Sequence, residues 1–359
     1  MWRGTVSEMD FWRFNKLVNL KSVAVISPYN VKCGISTYST YLCKALGDLG
    51  LEVYGVRLPR FGEKSPEILQ NVVDKIPKDV DLVLCQHEYG LYQWLEKPFY
   101  AALKQLGKPI ITTMHAPGFK HDGVISEYSN AVIVHNEYCA KRFPYPSVII
   151  PHGTSIFSTP KMDGCKKSYG IDARIPVVGY LGFIAEMKGI EVLVSAMTKV
   201  PNAALLMCGG WHLGEGTDYI WGLKEKTLQL LQGRCHWAGY VPDEQLSVAY
   251  GSMDVLCYCS PYMTESGALL LALSHGKVVL AADTPPALEK EKQGALMTFK
   301  KGDVEDLTAK INLLLSDEEL RAKLEIGAIE YAKSVEWHKI AQMHVDLFND
   351  VLKASNNCR

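Results

Sequence analysis

The sequence predicts an α/β protein built from two doubly wound, mostly parallel sheets. Three observations carry that prediction. Apolar strand-like runs alternate with helical segments along most of the chain, which is the pattern of βαβ units with helices on both sheet faces. The alternation breaks once after Pro151-His152-Gly153, into a polar, turn-rich stretch over residues 154–171, and then restarts. A chain of 359 residues with 48% hydrophobic content also has the length of about two domains.

In the first half, strands are expected at 22–26, 52–56, 82–86, 110–114, 131–135 and 148–150, with a helix over 38–49 that stops at Gly50. The second half repeats the scheme with strands at 177–180, 204–208, 236–237, 255–258 and 278–282 and helices at 190–198 and 243–251. Residues 307–353 read as helical, with Leu313, Leu320, Leu324, Ala328 and Tyr331 at helical spacing and a second stripe through Trp337, Ile340, Ala341, His344, Leu347 and Val351. The expected division is an extension over 1–20, a first domain over 21–153, a second over 154–335 and a terminal helix over 336–359.

Composition narrows the function. A formal net charge of -1 gives no electrostatic case for nucleic acid. No apolar run approaches the ~20 residues that span a bilayer. The ten cysteines show no CxxC pair, and several sit inside apolar strands (Cys85, Cys208, Cys257) where they act as small hydrophobes. With no signal-peptide pattern, a reducing cytoplasm is expected. Residues 1–20 interleave Trp2, Phe11, Trp12 and Phe14 with Arg3, Arg13 and Lys16. That mixture suits either a peripheral contact with the inner face of a membrane or a helix docked on the first domain.

The most informative segment runs from Asp254 to Asp283. It reads as a strand, a loop through Ser260-Pro261-Tyr262, and a helix opened by Ser266-Gly267-Ala268 and ended by Gly276. A second strand follows. A helix start at the carboxyl end of a strand offers free amides and the positive end of the dipole, so a phosphate-bearing ligand is expected there. Lys188, just before Gly189, is a point cation suited to the same phosphates or else a solvated surface lysine. Glu265 should be exposed by the turn that exposes Ser266, where it can bind ligand hydroxyls. Gly34 and Ile35 lie at the first strand–helix turn, and Gly209 and Gly210 follow a strand of the second half; glycine at such turns permits close approach of a ligand. Trp211 is placed to stack on a base or to pack.

His115 ends the strand 110–114 and should point into the cleft between the halves. His87 and Glu88 end another strand and could face a ligand there, with Glu88 either a general base or a structural carboxylate. His152 and Gly153 mark the passage between halves, a hinge candidate. No metal is implied, because Asp79 and Asp81 read as the turn before a strand.

Several motifs in order resemble the GT-B glycosyltransferases, specifically the retaining family 4 type. These are CGISTYSTYL at 33–42, TTMHAP at 112–117, VIIPHG at 148–153, the GFIAEMKG segment ending at Gly189, MCGGWH at 207–212, SGALLLALSHG at 266–276 and EWHKIAQMH near the end. The resemblance implies two Rossmann-like domains facing a cleft, with the terminal helix crossing back to the first. It implies a metal-independent, hexosyltransferase-like enzyme with no cofactor beyond a nucleotide-diphosphate sugar (UDP- or GDP-linked) as co-substrate. The acceptor would be a glycan, a lipid-linked molecule or a small molecule, and anomeric configuration would be retained, the leaving phosphate taking the acceptor's proton.

It assigns donor binding to Gly34, Ile35, Gly182, Phe183, Lys188, Gly209, Gly210, Ser266, Gly267 and Ala268. His115 is placed against the transferred sugar, with His87 and Glu88 on the acceptor side. Two departures stand out. The family's paired glutamates fall on Met263 and Leu271, and an arginine that meets the donor phosphates is Phe183. These departures keep open a non-hydrolysing sugar-nucleotide epimerase-like enzyme and a non-catalytic sugar-nucleotide-binding relative. A nicotinamide dehydrogenase is disfavoured, since no G-x-G-x-x-G follows the first strand.

Overall fold

A computed structural model describes residues 20–60, 62, 64–157, 164–210 and 217–357. Most of the 1–20 extension, and Trp211 with it, therefore lies outside the described residues. Among the described residues the chain forms two six-stranded parallel sheets flanked by helices.

The first domain runs β1 (Ser22–Ser27), α1 (Gly34–Asp48), β2 (Glu52–Arg57), α2 (Pro66–Val73), β3 (Leu82–His87), α3 (Tyr89–Tyr92), α4 (Glu96–Lys104), β4 (Ile110–Met114), α5 (Asp122–Tyr128), β5 (Ala131–Val134), α6 (Glu137–Arg142) and β6 (Val148–Ile149). Its strand order is β2-β1-β3-β4-β5-β6. Alternate strand residues serve opposite layers: Val83 and Cys85 join the core with α2 and α4, whereas Leu82 and Leu84 join the core with α1. Asp81 locks the first pairing, its carboxylate accepting the backbone N–H groups of Lys21 and Ser22 at 2.7 and 2.9 Å.

The second domain runs β7 (Val177–Leu181), α7 (Ile190–Met197), β8 (Ala204–Cys208), α8 (Asp218–Leu231), β9 (Cys235–Gly239), α9 (Leu246–Gly251), β10 (Val255–Tyr258), α10 (Gly267–Ser274), β11 (Val279–Ala282), α11 (Pro285–Lys292), β12 (Met297–Phe299), α12 (Val304–Ser316) and α13 (Glu318–Ser334). Strand order is β12-β11-β10-β7-β8-β9. The strands at 110–114, 204–208 and 255–258 coincide with those read from the sequence. The expected helix 243–251 is instead a 3-10 turn at Asp243–Gln245 followed by α9.

The helix α14 (Trp337–Asn357) packs on α1, burying Ile340, Ala341, Phe348 and Val351 with Val23, Tyr38 and Leu42 of the first domain. The chain thus crosses between domains twice, and the crossings lie side by side: Thr154 N–H donates to the Val335 carbonyl and Trp337 N–H to the Thr154 carbonyl, at 3.0 and 3.1 Å. Gly153 is squeezed at this point, since a Cβ there would lie 2.3 Å from the Trp337 ring. The nine cysteines among the described residues are unpaired, and no described helix is long and apolar enough to cross a membrane.

Candidate active site

Three loops converge at the carboxyl edge of the second sheet. Gly189 adopts φ +61°, and a Cβ there would meet the Cys259 carbonyl at 2.7 Å. Only glycine meets both demands, and it lets this turn pack against the loop that follows β10. The Tyr258 hydroxyl donates to the carbonyls of Leu181 and Ala268 at 3.2 and 3.0 Å, tying the end of β7 to the start of α10. Gly182 lies against that same helix start, where its Cβ would be 3.7 Å from that of Ala268. Phe183 follows, its carbonyl accepting from the Tyr180 hydroxyl at 2.6 Å.

Ser266 caps α10, its Oγ accepting Leu269 N–H at 3.2 Å. The Ser266 amide itself is engaged, donating to Glu265 Oε1 at 2.9 Å. The anion site expected from Ser266-Gly267-Ala268 therefore narrows to the amides of Gly267 and Ala268, at the positive end of the helix dipole.

Glu265 departs from expectation. Its side chain is 7% exposed, because the turn folds it inward onto Lys290 of α11, 2.9 Å away and 3% exposed. Asn136 of the first domain reaches the same loop, donating to the Thr264 carbonyl at 2.6 Å. The Thr264 hydroxyl in turn donates to the His115 carbonyl at 2.9 Å, and Tyr138 N–H to Glu289 Oε1 at 3.0 Å. These contacts form a clasp that closes the second domain's loop before α10 against the first domain. On another rim the Lys32 ammonium lies 3.8 Å from the Tyr240 ring centroid, joining the loop before α1 to the second domain.

His115 belongs to a cluster. The ring of the fully buried Tyr38 packs against His115, His135 and His152 at centroid distances of 5.0, 5.3 and 4.9 Å. The Ile150 carbonyl, 3.1 Å from His135 Nδ1, can only accept, so His135 carries its proton there. Its bare Nε2 then accepts from His115 Nδ1–H at 3.2 Å. That tautomer makes His115 Nε2 an acceptor, so the Gln86 amide, whose Oε1 is placed 2.9 Å from it and whose Nε2 lacks a partner among the described residues, is assigned the flipped orientation that presents its NH2. Both His115 ring nitrogens are thus committed within the protein, and neither is left free for a sugar. Burial, reinforced by the neighbouring histidines, pushes His115 well below its ordinary value and His135 down to about 3. His152 is lowered by burial, against the pull of Glu265. Its Nε2 lies beside Gly267, where a Cβ would sit 3.8 Å away.

The neutral buried histidines set an acid limit. His87 and His135 stay unprotonated in the fold down to about 3 and His344, buried in α14, to about 4. Unfolded histidine titrates near ~6.5. Below that value the unfolded chain binds more protons than the folded one, so stability falls as pH drops. Urea midpoints should decline steadily from pH 7 to 4. The decline should be shallower in His344→Leu, by up to about 1.4 kcal/mol per pH unit.

Other sequence-derived residues move. His87 does not face the cleft: the strand's alternation turns it to the side of Val83 and Cys85, where it is fully buried and stacked on Tyr92 at 4.5 Å. Glu88 caps α3, accepting Gly90 N–H at 3.1 Å. Gly34 and Ile35 are the first residues of α1 rather than a turn before it, and the Ile35 side chain packs on the first-domain core. A Cβ placed on Gly34 would meet nothing within 4 Å, so the protein itself does not require glycine there. Gly209 is the reverse case, because a Cβ would lie 1.8 Å from the Gly182 carbonyl; its glycine serves packing between β7 and β8. The Gly210 carbonyl accepts Ile184 N–H at 2.9 Å. Met263 and Leu271, at the positions of the family's glutamates, pack on the second-domain core. Among the described residues no group of three or more acidic, histidine or cysteine side chains forms a metal site.

Sequence reasoning missed Tyr38, His135, Asn136 and Lys290. His135 carried a usable signal, its position at a strand end like that of His115. Lys290 carried none, lying in a charged helix and meeting Glu265 from 25 residues away.

The sequence profile of the glycosyl transferases group 1 family matches residues 163–331. The chain is 32% identical over 169 residues to sulfoquinovosyl transferase SQD2 of Arabidopsis thaliana, covering 45% of this chain and 31% of that protein. It is 26% identical over 225 residues to a D-inositol 3-phosphate glycosyltransferase of Corynebacterium jeikeium, covering 58% and 52% of the two. The chain thus spans about half or less of the length of these curated relatives. The structure superposes on Anabaena Alr3699/HepE in complex with UDP and glucose with a TM-score of 0.76 and 16% identity, over 92% of this chain and 100% of that one. Residues 163–331 thus match the glycosyl transferases group 1 profile, and the chain has the two-domain GT-B fold.

Proposed function

We propose that the protein transfers a sugar from a nucleotide-diphosphate donor to an acceptor, with retention of anomeric configuration. The observation that carries this is the α10 terminus. Two amides with no partner among the described residues, those of Gly267 and Ala268, open at the carboxyl edge of β7 and β10, where the Lys188-Gly189 turn meets the loop after β10, and the loop before them is clasped against the first domain. Diphosphate departure needs positive charge fixed where negative charge develops, and this edge supplies amides, a dipole and an ammonium. UDP is the first nucleotide to test, since the Anabaena structure holds UDP and glucose. Retention is supported by the state of the nearby carboxylates: Glu265 is bound to Lys290 and Ser266, and Glu88 caps a helix. The leaving phosphate is then the group that accepts the acceptor's proton. The acceptor class (glycan, lipid-linked or small molecule) and membrane contact through residues 1–20 belong to the same proposal.

Calorimetry with UDP, GDP, ADP and their sugar conjugates tests it. One nucleotide should bind selectively, and Lys188→Ala should weaken it about 10–100-fold, the worth of a charge-assisted hydrogen bond. The product's anomeric configuration, read by NMR, then decides retention. Binding without turnover across a broad acceptor panel would favour the non-catalytic reading that Met263 and Leu271 suggest.

A further inference from the structure

The first domain carries an exposed aromatic surface that the donor site does not use. Trp94 and Phe119 are 53% and 48% exposed, and both pack on Tyr89, at centroid distances of 5.8 and 5.0 Å. Tyr89 is itself anchored from behind by a hydrogen bond to Asp122. The three rings come from segments at the carboxyl ends of β3 and β4, Tyr89 opening α3 and Trp94 following it, and Phe119 lies four residues beyond His115. The surface therefore occupies the same sheet edge that the clasp closes against the donor loop.

Two further observations show that this surface is built. Gln93 and Trp94 both adopt left-handed backbone conformations, φ +50° and +66°, which a glutamine and a tryptophan rarely take. The strain is held in place: the Gln93 side chain accepts Lys64 N–H at 2.9 Å and donates to the Gly62 carbonyl at 3.1 Å. Its effect is to hold the indole outward. Beside it, His121 stands edge-on to Trp94 at 5.3 Å, with its Nδ1 2.7 Å from a carboxylate oxygen of Glu96. The Glu96 side chain is fully buried, and its other oxygen has no partner among the described residues. A carboxylate sunk beneath a histidine holds Nδ1–H toward itself and fixes the ring's orientation, leaving Nε2 for another partner.

We infer that the Trp94–Phe119 surface is the acceptor subsite and takes a pyranose ring, with His121 Nε2 hydrogen-bonded to one of its hydroxyls. The inference rests on the glycosyl-transfer reading above. A pyranose presents axial C–H groups on one face, and these sit on the electron-rich face of an aromatic ring. Its equatorial hydroxyls project sideways, toward groups such as His121, and the Lys120 ammonium, which lies over the Trp94 ring 5.2 Å from its centroid, moves aside on its flexible stem to meet them. A bare alkyl chain would gain nothing from an imidazole so oriented, and a linear polyol has no flat face to stack.

The test uses the full chain, a panel of methyl and alkyl pyranosides with linear polyols as controls, and the nucleotide sugar selected by calorimetry. At least one pyranoside should accelerate nucleotide release and should quench tryptophan fluorescence without donor present. Trp94→Ala, Phe119→Ala and His121→Asn should each raise the acceptor KM tenfold or more, while nucleotide affinity stays within twofold and reports an intact fold. Trp94→Phe should recover most of the loss. Acceptor KM values unchanged in Trp94→Ala and Phe119→Ala, or acceleration by polyols alone, overturn the subsite while leaving the donor reading standing. No nucleotide binding to the wild type overturns the donor reading, and the pyranoside quench, lost in Trp94→Ala, then still decides the subsite.

Discussion

Lys290→Met should cost about 3–5 kcal/mol of stability, because it strands the Glu265 carboxylate in a place where both partners are almost wholly buried. Among the described residues the adjoining contacts give that carboxylate no other cation. Its oxygens otherwise meet only the Ser266 amide at 2.9 Å and, at 3.5 Å, the Asn136 side chain. Replacing both partners with Glu265→Leu/Lys290→Met should recover most of the loss, since an apolar pair avoids the desolvation of both ions. Urea denaturation of the two single variants and the double gives the coupling. Additive losses would show that the pair is no unit.

The pair also sets a pH window. Burial alone would raise Glu265, but Lys290, then His152 and the hydrogen bonds, bring it below its ordinary carboxylate value. Burial likewise works against charge on Lys290, yet Glu265 holds it above the ordinary lysine value. A depressed carboxylate contributes stability that is complete above its unfolded value and lost as pH falls through the folded one. A raised ammonium contributes stability that is complete below its unfolded value and lost as pH rises through the folded one. The stabilisation is therefore whole between about 4.5 and 10.5, the ordinary values of the two groups. The consequence for function follows from position. Glu265 precedes the α10 cap, so the double variant, although refolded, should bind nucleotide more weakly than the wild type.

Gly209→Ala should cost about 2–5 kcal/mol and disable the donor site together. The residue combines φ +150° with a hypothetical Cβ 1.8 Å from the Gly182 carbonyl. That oxygen is backbone, and the region is pinned by Gly209 N–H to the Gly239 carbonyl at 2.7 Å and Gly182 N–H to the Cys208 carbonyl at 3.0 Å. No side chain can swing away, so the ends of β7 and β8 must separate, carrying the 182–189 loop from α10. Gly34→Ala is the informative contrast. It meets open space without positive φ, so it should leave the melting temperature unchanged within about 1–2 °C, as surface substitutions do. If it nonetheless weakens donor binding, the reason for glycine at Gly34 lies in the ligand. Thermal melts with nucleotide calorimetry on the two variants separate these cases.

Much of the architecture was legible in the sequence because it rests on local, periodic signals. Apolar runs such as those at 110–114, 204–208 and 255–258 are strands in the structure, since each is buried on both faces and admits few polar residues. The Ser266 cap and the glycine at Gly189 were legible for the same reason: their demands are met within a few residues. The second sheet's last strand, β12, was not read, because three residues, Met297–Phe299, carry too little periodicity to separate strand from loop.

What only the tertiary structure decided is which way strand-end side chains turn and what they meet. His87 and His115 look alike in sequence, each closing an apolar strand. Alternation and the helices above the sheet send His87 into a box of tyrosines and His115 into the interdomain cluster. Glu265 reads as an exposed carboxylate until Lys290, distant in the chain, arrives to neutralise it. The exposed indole of Trp94 depends on hydrogen bonds from Gln93 to a different loop. The sequence by itself determined the two parallel sheets, the helix start at Ser266 and the profile match of residues 163–331, because these follow from propensity, spacing and motif order. The charge state of the cleft, the clasp between domains and the aromatic surface were settled by folding, because each depends on groups far apart in the chain whose energies change only when burial removes the water between them.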